Sequence, residues 1–192
     1  AVPGRPRGDR RRLGPPAPAV SGPDPTHAPL ERLSPADQAR LRQVAAAADG
    51  AAWLVGGAVR DLLLGLPVHD IDVVVETPAD EVARRLPVTI ELRSQFGTLI
   101  IVWPEGDCWD LVTARAERYP APAALPVVWR GSLAEDLARR DFSVNALAAA
   151  LDPADWGRLV DPLGGLADLR AGRLRILHPR SYHDDPTRLY RL

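Results

Sequence analysis

The stretch that decides the fold runs Leu54-Val55-Gly56-Gly57-Ala58-Val59-Arg60-Asp61, and it is answered shortly downstream by Asp70-Ile71-Asp72-Val73-Val74-Val75. The apolar run Ala52–Val55 reads as a short strand, Gly56-Gly57 breaks it, and Ala58–Leu64 reads as a helix closed by Gly65. A strand, two glycines and a helix start place bare backbone N–H groups at a helix N-terminus, which suits a phosphate chain. Arg60, in the first turn, adds a charge-assisted donor. The competing reading of the glycine pair is a plain tight turn.

In the second segment two carboxylates, Asp70 and Asp72, enter a strand expected over Asp70–Glu76. A period of two puts both on one sheet face. Adjacent like charges repel, and burying them uncompensated is costly. Hard cations such as Mg²⁺ take oxygen ligands and supply that compensation. A strand end with two solvated acids is the alternative, and the apolar run that follows directly favours the metal.

Outward from this centre, Ser34-Pro35-Ala36-Asp37 starts a helix: Ser at the cap, Pro at the first helical position, an acid in the first turn. That helix runs to about Asp49-Gly50. Thr77-Pro78-Ala79-Asp80 repeats the pattern and predicts a helix to about Leu86. Val88–Leu92, Thr98–Trp103 and Trp109–Thr113 are rich in β-branched residues and read as strands. Residues 120–126 are Pro-rich and read as a loop, and Ser132 caps a helix through about Arg140. Helices mix with close strand pairs such as 88–92 and 98–103. That argues an α+β domain, a mixed sheet flanked by helices.

Composition bounds the rest. The 192 residues allow one domain, or one and the start of another, and the net charge of −1 excludes a bulk basic surface. An RNA partner would have to be met by a local patch of arginine, since the chain has no lysine. Cys108 is alone, so no internal disulfide forms and no Cys/His cluster has zinc spacing. A cytoplasmic protein is expected; no apolar run suits a membrane helix, and residues 1–30 lack a signal-peptide core. Those residues hold eight of the 20 prolines and read as a disordered tail, in which a solvated state of Arg5, Arg7, Arg10, Arg11 and Arg12 is favoured over contact with RNA.

Two further segments carry polar chemistry. Asp107-Cys108-Trp109-Asp110-Leu111-Val112-Thr113 brings another acid into an apolar strand; on spacing alone Asp107 and Asp110 compete for the third carboxylate of a two-metal site, and an ordinary turn acid is the favoured reading of either. Arg139-Arg140-Asp141-Phe142-Ser143-Val144-Asn145-Ala146 offers donors and acceptors for a triphosphate and a ribose, or else an ordinary helix C-terminus with Arg favoured by the dipole.

Taken in order, GGAVRDLLLG, DID, RRDFSVNALA, DPLGGLADL and DDPTR resemble the class II tRNA nucleotidyltransferase and bacterial poly(A) polymerase family, over about residues 52–192. The resemblance implies a nucleotidyltransferase fold similar to that of polymerase β, with a head domain over 31–178 and the start of a helical neck at 179–192. It implies that Gly56, Gly57 and Arg60 hold the incoming triphosphate and that Asp70 and Asp72 hold two Mg²⁺. It selects Asp110, with Thr113 and Arg115 behind it, as the third acid. Ala114 stands where the family often has an aromatic residue.

The same resemblance assigns ribose recognition to Arg139, Arg140, Asp141 and Asn145, with Ser143 in place of Thr. Asp161-Pro162, Gly164-Gly165 and Asp168 match a structural, hinge-like motif. Asp185 and Arg188 match the pair that reads the incoming base, with Asp184 where the family has Glu. His69 is expected to be a surface residue. The implied partners are tRNA and ATP and/or CTP, and the implied product is a tRNA 3′ end extended by CCA, CC or A. A poly(A) polymerase and a non-catalytic domain of the same fold are the alternatives. The D-G-R string of CCA-adding members is absent from Tyr119–Arg130, and Ala124-Leu125-Pro126 resembles members that divide the task, with A addition favoured. The chain stops at Leu192, early in a helix expected from near Pro186, so by itself it is expected not to extend tRNA.

Overall fold

The computed structural model describes residues 25–93 and 97–191; most of the expected tail, residues 1–24, lies outside them. The packed chain begins earlier than residue 31. Ala28 and Leu30 are buried in the core, and the backbone N–H of Leu159 donates to the carbonyl of Thr26.

The first long helix, α1 (Pro35–Ala47), is capped as its sequence predicts: the Ser34 hydroxyl accepts from the Asp37 backbone N–H, and Pro35 opens the helix. Strand β1 (Ala52–Val55) leads through Gly56 into α2 (Gly57–Leu64), which ends on Gly65 in the left-handed conformation. Strand β2 covers Asp72–Val75, so Asp70 precedes the strand instead of opening it. Helix α3 (Ala79–Ala83) is shorter than expected. Pro78 takes the cap position, and the hydroxyl of Thr113, not of Thr77, accepts the Ala79 N–H.

Strands β3 (Thr89–Arg93), β4 (Thr98–Val102) and β5 (Cys108–Thr113) follow. Next comes a hairpin, β6 (Arg115–Arg118) and β7 (Val127–Arg130), which frames the Pro-rich loop. Helix α4 (Leu133–Ala138) starts with a capping box between Ser132 and Glu135. The remaining elements are β8 (Ala148–Ala150), β9 (Leu159–Val160), α5 (Gly165–Arg170) and α6 (Ser181–Asp184). A 3-10 helix over Pro186–Arg191 stands where an α-helix was expected.

Among the described residues the main sheet has the order β3-β4-β5-β2-β1-β8-β9, antiparallel throughout except for β2 against β5. Its two faces are read from the alternation of β2. Val73 and Val75 join the larger core with Leu41, Leu54, Val59 and Val82, under α1, α2 and α3. Val74 points the other way, into a smaller cluster with Val55, Leu133, Leu137 and Ala148 under α4. Helices cover the first face more fully than the second, and the open part of that second face holds the cleft described next.

Candidate active site

Asp72 and Asp110 come together through the sheet. In the parallel register of β2 and β5 they are direct partners, and the Asp110 backbone N–H donates to the carbonyl of Ile71 at 3.0 Å. Period two places Asp72 on the face of Val74 and Asp110 on the face of Val112, which is the α4 side. Burial, then the charges of Asp110 and Asp70, push the Asp72 carboxyl above the usual aspartate range, against a partial offset from Arg140. Burial and Asp70 push Asp110 the same way.

Asp70 differs from its two partners. It is exposed, lies before the strand and does not line the cleft. The shared strand face expected for Asp70 and Asp72 is therefore not what positions Asp70. Asp107 is excluded from the cluster: it stays in the β4–β5 turn and pairs with Arg40 at 2.7 Å. His69 is exposed.

Apart from Asp70, every candidate residue borders one cleft of about 770 Å³: Gly56, Gly57, Arg60, Asp72, Asp110, Arg139, Arg140, Asp141, Asn145, Asp185 and Arg188. Gly56 sits at φ +72°, and a Cβ there would lie 2.8 Å from Arg140 Nη1 and 3.8 Å from Asp72 Oδ2. Its lack of a side chain leaves room for the Arg140 guanidinium over the turn. The first turn of α2, whose N–H groups have no acceptor within the helix, borders the same space.

A polar chain crosses the cleft wall. Arg60 Nη1 donates to Asn145 Oδ1 at 2.7 Å, and Asn145 Nδ2 donates to Asp141 Oδ1 at 3.1 Å. Asp141 Oδ1 also accepts the Phe142 N–H, and its Oδ2 faces Arg191 at 3.3 Å. The Ser143 hydroxyl points away, donating to buried Asp168 at 2.7 Å; with Arg175 this holds the Asp168 carboxyl below the usual range. Asp161 accepts the N–H groups of Gly165 and Leu166, and Gly165 lies against the Ser143 carbonyl, where no Cβ fits. The glycine-rich segment is thus a brace behind Asp141–Asn145.

The arginine pair depends on a residue that the sequence did not single out. Asp136, with no exposed side-chain surface, receives Arg139 at 2.6 Å on one oxygen and Arg140 at 3.1 Å on the other. The Ser132–Glu135 capping box sets the helix that carries it, and Asp136 lies one residue further on.

Glu117, Tyr119 and Arg191 also line the cleft unanticipated. The alternation Arg115-x-Glu117-x-Tyr119 was a signal for the first two, since it puts Arg115 and Glu117 on one face of β6 and continues to Tyr119 just past its end. Asp185 and Arg188 do not share a helix: Asp185 bridges α6 and the 3-10 helix, its Oδ1 accepting from the Thr187 N–H, and Arg188 Nε lies 3.7 Å from its other oxygen. Arg188 is only 4% exposed and donates to the Ser181 hydroxyl at 2.6 Å and to the Arg139 carbonyl at 2.9 Å.

The donor set fits a hard divalent cation. Mg²⁺ is commonly held by one or two carboxylates together with phosphate oxygens, and the Asp72–Asp110 pair, crowded and half-dry, supplies the first part. Among the described residues no group of three or more His, Cys, Asp or Glu forms a ready-made metal cage. Also among them, no helix is long and apolar enough to cross a membrane.

The chain is similar to several known proteins. The A-adding tRNA nucleotidyltransferase of Halalkalibacterium halodurans is 48% identical over 143 residues, 72% of this chain and 34% of that protein. The CC-adding tRNA nucleotidyltransferase of Deinococcus radiodurans is 42% identical over 168 residues, 83% of this chain and 44% of that protein. The solved structure of a CCA-adding enzyme in an apo form superposes with a TM-score of 0.78 at 39% identity, over 84% of this chain and 40% of that one. The chain therefore spans 34–44% of the length of these relatives, and it shares their nucleotidyltransferase fold. Residues 52–175 match the family described as the Poly A polymerase head domain, and the chain belongs to that family.

Proposed function

We propose that this chain is the catalytic head of an enzyme that adds nucleotides to the 3′ end of tRNA without a template, with A addition as its principal activity. The observation that carries the reading is the cleft itself. Two register-paired carboxylates, a glycine turn at a helix start and the Arg139–Asn145 segment all face one space large enough for a nucleoside triphosphate. Similarity to A-adding and CC-adding tRNA nucleotidyltransferases supports tRNA as the acceptor, and A addition follows from the first of these together with the Ala124-Leu125-Pro126 segment.

The residues divide by place. The Gly56-Gly57 turn and Arg60 receive the triphosphate, with Arg140 leaning over the same turn. Asp141 and Asn145 present the polar chain to the ribose. Asp185 and Arg188, at the far wall, meet the base. Asp72 and Asp110, with Asp70 beside them, would hold Mg²⁺, two ions in the full reading, which supplies activation of the attacking hydroxyl and stabilisation of charge on the leaving group. In the reaction the RNA 3′ oxygen forms a bond to the α-phosphorus as the bond to the bridging oxygen breaks, and pyrophosphate leaves. The side chains of the cleft hold the triphosphate in line for that displacement.

The test uses the protein carrying this chain together with its flanking coding sequence. It is offered tRNA ending in CC and tRNA lacking CCA, with ATP or CTP alone. AMP incorporation on the first substrate is expected. Incorporation of neither nucleotide on either tRNA would overturn the reading, and CMP incorporation on the second would replace A addition by C addition.

A further inference from the structure

Glu117 lies on β6, outside the motifs that carry the family resemblance. Its side chain is 6% exposed, and three groups converge on it. Oε2 is 3.7 Å from Arg139 Nη1, Oε1 is 3.9 Å from Arg188 Nη2, and the Tyr119 hydroxyl donates to Oε1 at 3.0 Å. Burial and this carboxylate push the Tyr119 phenol up to about 12, so it stays a donor. Arg188 is meanwhile held by Ser181 and by the Arg139 carbonyl, and the guanidinium groups of Arg139 and Arg188 both lie within 4 Å of the Glu117 carboxylate. Two cations at that range need an anion between them. Asp136 balances Arg139 from below, whereas among the described residues the other carboxylate near Arg188 is Asp185, at 3.7 Å from Nε. The hairpin that carries Glu117 is tied to the same segment, since the Ala123 N–H donates to the His183 carbonyl at 2.9 Å.

We propose that Glu117 is a positioning residue for base selection: its carboxylate, oriented by Tyr119, fixes the direction in which Arg188 presents its remaining N–H groups to the nucleotide base. The proposal rests on the reading of the cleft as a nucleotide site. A role confined to stability would weaken every nucleotide alike; a positioning role changes the ratio between bases.

The experiment measures equilibrium binding of ATP, CTP, GTP and UTP, and of tripolyphosphate as a base-free probe, to the protein carrying this chain with its flanking coding sequence, wild type and Glu117→Gln. Melting curves verify folding. Gln keeps the shape and the acceptor for Tyr119 but removes the charge. The expected result is loss of about tenfold in the preference among bases, the size of one charge-assisted hydrogen bond, with tripolyphosphate affinity unchanged. Tyr119→Phe leaves the charge in place and removes only its orienting bond, so it serves even where Glu117→Gln does not fold; the same ratio should move in the same direction. Either folded variant keeping the wild-type ratio overturns the proposal. A wild-type protein that binds tripolyphosphate but shows no base preference also overturns it, while one that binds no nucleotide at all removes the underlying reading of the cleft as well.

Discussion

Asp72 on β2 stands directly opposite Asp110 on the parallel strand β5, with both side chains on the α4 face of the sheet. This pairing strains the fold for the sake of the site, because neighbouring strands lie only about 4.8 Å apart and both acids are partly withdrawn from water.

One consequence is a pH-dependent cost. Both carboxyls titrate above the usual aspartate range, so the native state binds more protons than the unfolded chain between the unfolded and the folded pKa. Stability from this pair is therefore lost as pH rises through that window, and the penalty is complete above it. At pH 7 without divalent ions, Asp72→Asn should raise the melting temperature. Mg²⁺ should raise that of the wild type and do less for the variant. Transfer by the longer protein should fall by ~10³-fold or more. Calorimetry at pH 4.5 and 7, with and without Mg²⁺, checks the signs.

Asp70→Asn should separate the two effects. Asp70 is exposed and precedes the strand, so its substitution should shift stability by no more than about 0.5 kcal/mol. Transfer should still be lost. Near-normal turnover in the variant would remove Asp70 from the metal site.

Asp136→Ala leaves Arg139 and Arg140 without their shared buried carboxylate. Breaking a buried charge pair from one side costs about 3–5 kcal/mol. Urea unfolding should show a loss of that order, larger than for any exposed acid such as Asp155.

Gly56→Ala forces a side chain into a backbone at φ +72° and toward Arg140 Nη1. Such strain costs of order 1–3 kcal/mol. Because the added methyl also displaces Arg140, tripolyphosphate affinity should fall together with the melting temperature. Titration calorimetry would show whether the two effects travel together.

Ribose recognition should run through Asp141, which orders Asn145 and through it Arg60. The wild-type protein should use deoxyATP poorly, and Asp141→Ala should narrow the gap to ATP by about tenfold, the loss of one charge-assisted hydrogen bond. Competition between the two nucleotides in a single extension assay measures the ratio directly.

Elements built from local chemistry were legible. Ser34 and Pro35 start α1, the β-branched run makes β2, and Gly65 ends α2, because a cap, a strand or a left-handed turn is decided within a few residues. The glycine turn, the paired acids and the arginine pair were visible for the same reason, since each is a short string with its own chemistry.

What the sequence by itself determined, then, is the set of local starts and stops and the order of the motifs, together with the family they resemble. The tertiary structure decided what depends on distant partners. Ala148–Ala150 would favour a helix by propensity, and becomes a strand because β1 and β9 bond it on both sides in a dry sheet. The choice between Asp107 and Asp110 as third acid becomes geometry only through the β2–β5 register, which holds one opposite Asp72 while Arg40 keeps the other in a turn. Asp136 and Glu117 look like surface acids in a chain rich in arginine. Burial beside specific guanidinium groups makes them anchors, and burial is set by which helices and hairpins pack over the sheet, not by the residues' own neighbours in the chain.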